Sequence, residues 1–126
     1  MKGLVLDAGA LIALDRGNRD MHSEIRATRL SGAPVRTSPM ALAQAWRDGK
    51  RQARLASAMR DIDARVITGE DGRQGGELLA ASGTSDAIDA TVALLARSGD
   101  LLYTSDPGDL RKLCGAAGIR AVVIGC

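Results

Sequence analysis

The chain has 126 residues and a formal net charge of +2, from 17 basic and 15 acidic side chains. This length is typical of one compact domain, so we expect a single domain over residues 1–126. With two cysteines and one histidine, the composition excludes a disulfide framework and a zinc site of ordinary type. The sequence has neither a signal peptide nor an apolar run of about 18 residues, so we expect a reduced, cytoplasmic setting without a membrane span.

In the first half of the chain, short apolar runs alternate with helical patterns. Residues 3–6 form an apolar run that ends at Asp7 and predicts a buried strand. A serine followed by a proline, Ser38–Pro39, is typical of a helix start. The expected elements are a strand over 3–6, helices over 9–15 and 19–31 (the latter with Met21, Ile25 and Leu30 inward), a strand over 34–37, and helices over 39–46 and 50–61.

The second half continues the alternation. The expected elements are a strand over 64–67, a glycine-rich loop over 69–76 that leads into a helix ending near Ser82, a long helix from Asp86 to Ser98, a strand over 101–104, a helix opened by Asp106–Pro107, and a strand over 121–124. Strands that alternate with helices predict a parallel sheet covered on both faces. The expected fold class is therefore α/β, a three-layer α/β/α sandwich with a four- or five-stranded parallel sheet.

Four aspartates fall where such a sheet binds ligands, beyond the carboxyl ends of its strands. Asp7 ends the first strand, Asp106 follows the fourth, and Asp86 and Asp89 lie three residues apart at a helix start, on one face. Concentrated negative charge is costly unless a cation compensates it, and carboxylate oxygens suit Mg²⁺ or Mn²⁺. The pattern predicts a divalent metal site.

Each acid also has a structural interpretation. Asp106 before Pro107 is a good N-cap, and Asp86 with Asp89 suits the first turn of a helix. Asp7 has no evident capping role after its apolar run. It is the coincidence of the three places, rather than any one of them, that favours a functional site.

Three segments in this order resemble the PIN-domain ribonucleases, and specifically their VapC-like toxins. They are LVLDAGALIAL (4–14), TSDAIDATVALLA (84–96) and LLYTSDPGDL (101–110). The resemblance implies that Asp7, Asp86 or Asp89, and Asp106 hold the metal, with Thr104 and Ser105 orienting ligands or water. It also implies an endoribonuclease that hydrolyses RNA phosphodiester bonds with metal-activated water. Toxins of this kind are homodimers, held inactive by a cognate antitoxin protein.

One residue departs from that family's pattern. In TSPMALAQAWR (37–47), Gln44 occupies the place where the family usually has a glutamate. An amide oxygen coordinates a cation weakly and carries no full charge, so a second metal ion is in doubt. Asp89 is a candidate for the missing charge. The alternative is a catalytically weak or inactive PIN-like module that binds RNA or protein.

A basic segment follows that helix. Arg47, Lys50, Arg51 and Arg54 are candidates to contact RNA phosphates beside the acids, although a solvated helix face is an equal alternative. For Trp46 we expect a core or dimer contact rather than base stacking. His22 is expected at the surface of an outer helix.

A phosphoacceptor domain is a further alternative, in which a strand-end aspartate is phosphorylated. Receiver-like domains have that aspartate after the third strand, whereas here Ile67 is followed by Thr68–Gly69. The Asp-x-Asp expected of haloacid-dehalogenase-type enzymes is also missing, because Asp7 is followed by Ala8–Gly9. This class is disfavoured.

Overall fold

The computed structural model describes residues 2–126. Five strands lie in these residues: β1 (Leu4–Leu6), β2 (Val35–Thr37), β3 (Asp63–Ala64), β4 (Leu101–Thr104) and β5 (Val122–Gly125). They form one sheet in the order β3-β2-β1-β4-β5, and every neighbouring pair is parallel. The predicted α/β fold with a parallel sheet is therefore confirmed.

Helices cover the sheet in two groups. The α-helices of the described residues are α1 (Ala8–Asp15), α2 (Arg19–Leu30), α3 (Pro39–Ala45), α4 (Ala53–Ala58), α5 (Gly69–Ser82), α6 (Ala87–Ala93) and α7 (Pro107–Ala116). Helix α1 packs against α2, α3 and α4, whereas α5, α6 and α7 pack against one another. This grouping is consistent with a three-layer sandwich. Within residues 2–126, no helix has both the length and the apolar character required to span a bilayer.

The central strand β1 is fully buried, with Leu4, Val5 and Leu6 all at 0% exposure. A strand covered on both faces of a parallel sheet is expected to be continuously apolar in this way. Each buried leucine or valine contributes about 1.5–3 kcal/mol relative to leaving it exposed. Because the chain has no phenylalanine, the core consists of aliphatic side chains and alanines.

Asp100 fixes the register between β1 and β4 at the edge opposite the carboxyl ends. Its Oδ1 accepts from the Gly3 N–H at 2.8 Å and its Oδ2 from the Arg97 N–H at 2.9 Å. The resulting register pairs Leu4 with Leu101 and runs to Leu6 with Tyr103. The residues that follow these two strands therefore emerge side by side.

The predicted glycine-rich loop over 69–76 is wrong, because this segment is the first half of α5. Thr68 and Asp71 form a capping box: the Thr68 hydroxyl accepts from the Asp71 N–H at 3.1 Å, and the Asp71 carboxylate accepts from the Thr68 N–H at 2.9 Å. Each glycine costs a helix about 1 kcal/mol relative to alanine. A reciprocal cap offsets part of that cost by satisfying two backbone donors at the helix start.

Three other elements and the burial of one residue differ from the prediction. The third strand is Asp63–Ala64 rather than 64–67, because this edge strand pairs only with Arg36 and Thr37. The basic helix over 50–61 is shorter, comprising α4 and a 3-10 turn, Met59–Asp61. The helix expected to reach Ser98 ends at Ala93, after which the backbone makes i−3 hydrogen bonds. On α2, Met21 and Ile25 are buried as expected, but Leu30 is 83% exposed.

Candidate metal centre

The predicted acids gather at the carboxyl ends of β1 and β4. These strands are neighbours, but the connection from β1 leads to β2 on one side and the connection from β4 leads to β5 on the other. Such a switch point leaves a crevice where α/β proteins bind ligands. Asp7 follows β1 and Asp106 follows β4, so the topology itself places two acids at the mouth of this crevice.

Both oxygens of the buried Asp7 carboxylate accept hydrogen bonds. Oδ1 accepts from the Ala10 N–H at 3.1 Å, which makes Asp7 the N-cap of α1. Oδ2 accepts from the Thr104 hydroxyl at 2.5 Å and from the Ser105 N–H at 3.1 Å. The expectation that Asp7 has no capping role is therefore wrong. Charge-assisted hydrogen bonds of this kind hold the carboxylate in one orientation.

Thr104 links Asp7 to Asp106. Its fully buried hydroxyl donates to Asp7 and accepts from the Asp106 N–H at 2.8 Å. Ser105, between them, lies against the first turn of α1: a Cβ added to Gly9 would be 2.6 Å from the Ser105 Cβ. Glycine at position 9 therefore allows the loop after β4 to approach α1 closely.

Asp89 is buried, as Asp7 is, with 8% exposure. Its Oδ2 has no hydrogen-bond partner among the described residues. Burial raises its pKa to about 7, with further contributions from the neighbouring acids Asp86, Asp106 and Asp7. Burying a carboxylate oxygen without a partner costs free energy, and binding of a cation or a proton at this atom would offset that cost.

One oxygen from each of Asp89, Asp106 and Asp109 lies within 4.8 Å of the others. Two oxygens bound to one Mg²⁺ ion lie at most about 4.2 Å apart, twice the bond length to oxygen, so these three side chains would need only a small adjustment to share a single divalent ion. With the unpartnered Oδ2 of Asp89 beside them, these side chains form an acidic cluster able to hold a metal ion. We call Asp89, Asp106 and Asp109 the acidic cluster.

Asp109 is the member of the cluster that the sequence-based site did not include. The signal was present, because Asp109 follows Asp106 at the same three-residue spacing that joins Asp86 to Asp89. Both pairs lie at the start of a helix, where residues three apart share a face.

Asp86 caps a helix, whereas Asp106 does not make the helix cap that its sequence context predicts. The exposed Asp86 caps α6, because its Oδ1 accepts from the Ile88 and Asp89 N–H groups at 2.9 and 3.1 Å. Asp106 precedes α7 but makes no side-chain cap hydrogen bond, contrary to the capping interpretation. Its carboxylate is thus available to the acidic cluster.

Gln44 is an exposed residue of α3. Among the hydrogen bonds of residues 2–126, none joins its side chain to the acids. The start of α3 contacts α6, where the hydroxyls of Ser38 and Thr91 lie 2.7 Å apart. The acidic cluster is thus assembled from α6, α7 and the loop after β4.

The residues of the basic segment have different surroundings in the structure. Arg47 folds back, and its Nη1 donates to the carbonyls of Ala43 and Trp46 at 2.9 and 2.7 Å. Arg51 lies 3.8 Å from Asp48, and Lys50 is exposed. Trp46 does not make the expected core contact, and the alternative dimer contact stays a prediction. The residue is 36% exposed, and its ring lies over Gly49, where an added Cβ would be 2.8 Å from the indole.

Arg54 and His22 instead line a surface groove between α2 and α4. His22 is only partly exposed, with its Nε2 3.0 Å from the Leu14 carbonyl oxygen.

The structure does not place an acid where a phosphoacceptor domain has one. The third strand of the chain, β3, is an edge strand that is followed by Arg65, and β2 separates it from β1 and the acids.

Comparisons of the chain with protein-family models, with curated proteins and with solved structures found no match.

Proposed function

We propose that this chain is a metal-dependent endoribonuclease of the PIN-domain type, which hydrolyses RNA phosphodiester bonds and acts as the toxin of a toxin–antitoxin pair. One observation supports it above the others: oxygens of three carboxylates lie within 4.8 Å of one another at the switch point of a parallel sheet, and one of the three, Asp89, has a buried oxygen without a hydrogen-bond partner. The toxin role, a homodimeric state and a cognate antitoxin rest on the resemblance alone.

The donor set favours a hard cation. Mg²⁺ and Mn²⁺ prefer carboxylate and water oxygens, and the three side chains of the acidic cluster offer carboxylate oxygens alone. Asp89, Asp106 and Asp109 would bind the ion directly, and Asp7 would add negative charge from the adjoining strand. When bound, such an ion polarises a phosphoryl oxygen and lowers the pKa of a water molecule.

The protein's own side chains prepare this site. The Thr104 hydroxyl and the Ser105 N–H fix Asp7, while the Asp106 N–H is held by the same hydroxyl. At neutral pH, the raised pKa of Asp89 keeps a proton on a substantial fraction of this carboxyl when no cation is present. Binding of a metal ion would displace that proton.

Cleavage of a mixed pool of structured RNA tests the function. Purified protein is incubated with Mg²⁺ or Mn²⁺, and separately with EDTA. We expect cleavage only with metal, and a loss of more than about 100-fold in Asp7→Asn and Asp106→Asn, which preserve shape but remove charge. Asp63→Asn is the matched control, because this exposed acid belongs to the edge strand β3. Full activity in a clean Asp7→Asn or Asp106→Asn preparation would contradict the assignment.

A second function is favoured by Gln44. Its exposed, uncharged side chain adds no carboxylate to the site, as expected of a PIN-like module that binds RNA or protein with little or no catalysis. Gln44→Glu separates the two functions. If residue 44 faces the bound ion, the variant should bind Mg²⁺ more tightly and cleave faster than the wild type. RNA binding without cleavage, in wild type and variant alike, would favour the binding module.

A further inference from the structure

A groove runs along the face formed by α1, α2 and α4, from Ser105, the residue before Asp106. Its first part has a volume of about 560 Å³ and begins at Ser105, whose backbone N–H donates to Asp7. Three residues of α1 and its C-cap residue, at the spacing i, i+3, i+4 and i+7, line this part: Gly9, Ile12, Ala13 and Arg16. One face of α1 therefore extends from the site to the far end of the helix.

Two further parts adjoin the first through shared lining residues, and a separate cavity of about 420 Å³, which shares Asn18 and Cys126 with the first part, is lined by the acids Asp20 and Glu24. The second part, of about 440 Å³, shares Gly17 with the first and is also lined by Arg19. The third part, of about 710 Å³, shares His22, Arg26 and Arg54 with the second. We call the three parts together the basic groove.

The charge of the basic groove is opposite to that of the acidic cluster. Its first two parts contain no acidic residue, and the one acid of the third part, Asp61, forms an ion pair with Arg29. Four other arginines of the groove form no ion pair within the described residues: Arg16, Arg19, Arg26 and Arg54. These guanidinium groups are available to an anion from outside the chain.

Gly17 keeps the middle of the groove open and holds Arg54 there. Its backbone has a φ of +77°, a left-handed conformation that favours glycine. A Cβ at this position would lie 3.2 Å from the Arg54 Nε and 3.3 Å from its Cζ. The guanidinium of Arg54 thus lies against the backbone between α1 and α2.

We infer that the basic groove binds the sugar–phosphate backbone of one RNA strand, on one side of the bond that the acidic cluster cuts. The inference rests on the proposed function for the identity of the substrate. An anionic strand cannot be retained by carboxylates alone, and arginine is well suited to phosphate. The eight residues of α1 span about 12 Å, the length of three to four stacked nucleotides. Arg26 and Arg54 would contact phosphates that far from the cut.

Binding is tested with a 12-nucleotide single-stranded RNA in EDTA, measured by fluorescence anisotropy over a range of salt concentrations. In the double variant Arg26→Gln/Arg54→Gln, we expect at least a tenfold loss of affinity at 0.1 M salt. The slope of log K against log salt should fall by about 1.4, or 0.7 for each phosphate that is no longer neutralised. Arg26→Lys/Arg54→Lys should keep most of the slope. The control is Arg73→Gln/Arg111→Gln, which removes the same charge from exposed positions on α5 and α7 and should change affinity less than twofold.

Cleavage with Mg²⁺ or Mn²⁺ separates a failure of this inference from a failure of the function. The Arg26→Gln/Arg54→Gln variant should lose kcat/KM on the 12-nucleotide RNA but not on a dinucleotide, which cannot span α1. If wild type cleaves and the variant matches the Arg73→Gln/Arg111→Gln control, the inference is overturned and the nuclease stands. If wild type cleaves nothing but RNA binding still depends on Arg26 and Arg54, the groove stands and the nuclease fails. Tighter binding of a glutamate-rich peptide of equal charge would overturn it in favour of a protein ligand.

Discussion

Thr104→Val is the substitution that most directly tests whether the loop after β4 organises the metal centre. The change keeps the shape of a fully buried side chain and removes one hydroxyl. That hydroxyl donates to the Asp7 carboxylate at 2.5 Å and accepts from the Asp106 N–H at 2.8 Å. The variant therefore disconnects the two acids without creating a large cavity.

Two effects of this change have separate magnitudes. A hydrogen bond to a charged group contributes about 1.5–3 kcal/mol, and the Asp106 N–H also loses its acceptor, so we expect a loss of about 2–4 kcal/mol in the free energy of unfolding in EDTA. Loss of a group that orients a metal ligand reduces metal affinity about 10- to 100-fold. At saturating Mg²⁺, that loss removes a further 1.4–2.7 kcal/mol or so of stabilisation.

The assay is urea unfolding in EDTA and in Mg²⁺, with the metal dissociation constant obtained from the difference. Thr37→Val is the matched control, because Thr37 is equally buried at the end of β2, but its hydroxyl donates to the Leu6 carbonyl at 2.8 Å and to neither acid. It should cost about 0.5–1.5 kcal/mol and leave the metal affinity unchanged. An unchanged metal affinity in Thr104→Val, or an equal loss in Thr37→Val, would refute the argument.

Two further predictions concern the same site. Burial and acidic neighbours raise the pKa of Asp89 from 3.8 to about 7, so between these pH values the folded state in EDTA binds one proton more than the unfolded state. The unfolding free energy of wild type should therefore fall relative to that of Asp89→Asn as the pH rises from about 4 to about 7, and the difference between the two proteins should be constant outside that window. Chemical unfolding at several pH values measures this difference. A difference that does not depend on pH would contradict the raised pKa. Gly9→Ala brings a Cβ within 2.6 Å of the Ser105 Cβ and should weaken Mg²⁺ binding, because the Ser105 N–H donates to Asp7. The double variant Gly9→Ala/Ser105→Gly should recover most of the lost Mg²⁺ affinity, as measured by calorimetric titration. Equal affinities in the two variants would show that the contact between residues 9 and 105 does not act on the site.

Much of the fold could be predicted because its signals are local. The apolar run 3–6 specifies a buried strand, and Ser38–Pro39 starts α3 as its cap chemistry predicts, with the Ser38 hydroxyl accepting from the Met40 N–H. The errors arose where a local preference met an opposing local interaction or a tertiary one. Glycines over 69–76 favour a loop, but the capping box at Thr68 and Asp71 starts a helix there.

The site was harder to predict than the fold, since side-chain direction depends on tertiary contacts. The sequence placed Asp7, Asp106 and Asp89 at one edge of the sheet, and the structure brings their charges together there. The sequence alone could not show that the Arg47 side chain folds back onto carbonyls at the end of α3, or that the Arg54 side chain lies against Gly17. Both arginines belong to the same basic run, and only the packing of α4 against α1 separates their surroundings.

The repeated pattern Thr-Ser-Asp-x-x-Asp, at 84–89 and 104–109, shows how the same local sequence can supply different ligands. Thr84 follows the end of α5, and its hydroxyl lies 2.8 Å from that of Ser82, so Asp86 is left to cap α6 and only Asp89 joins the acidic cluster. Thr104 is instead buried at the end of β4, where it holds the Asp106 N–H.

That contact gives Asp106 a backbone φ of −128° and ψ of 66°, from which its side chain makes no cap hydrogen bond. Both aspartates of the second copy, Asp106 and Asp109, are thereby available to the cluster. The difference between the copies is thus set by whether the threonine ends a strand of the sheet. Because both copies begin helices, the N-terminal ends of α6 and α7 also offset part of the repulsion among the three acids.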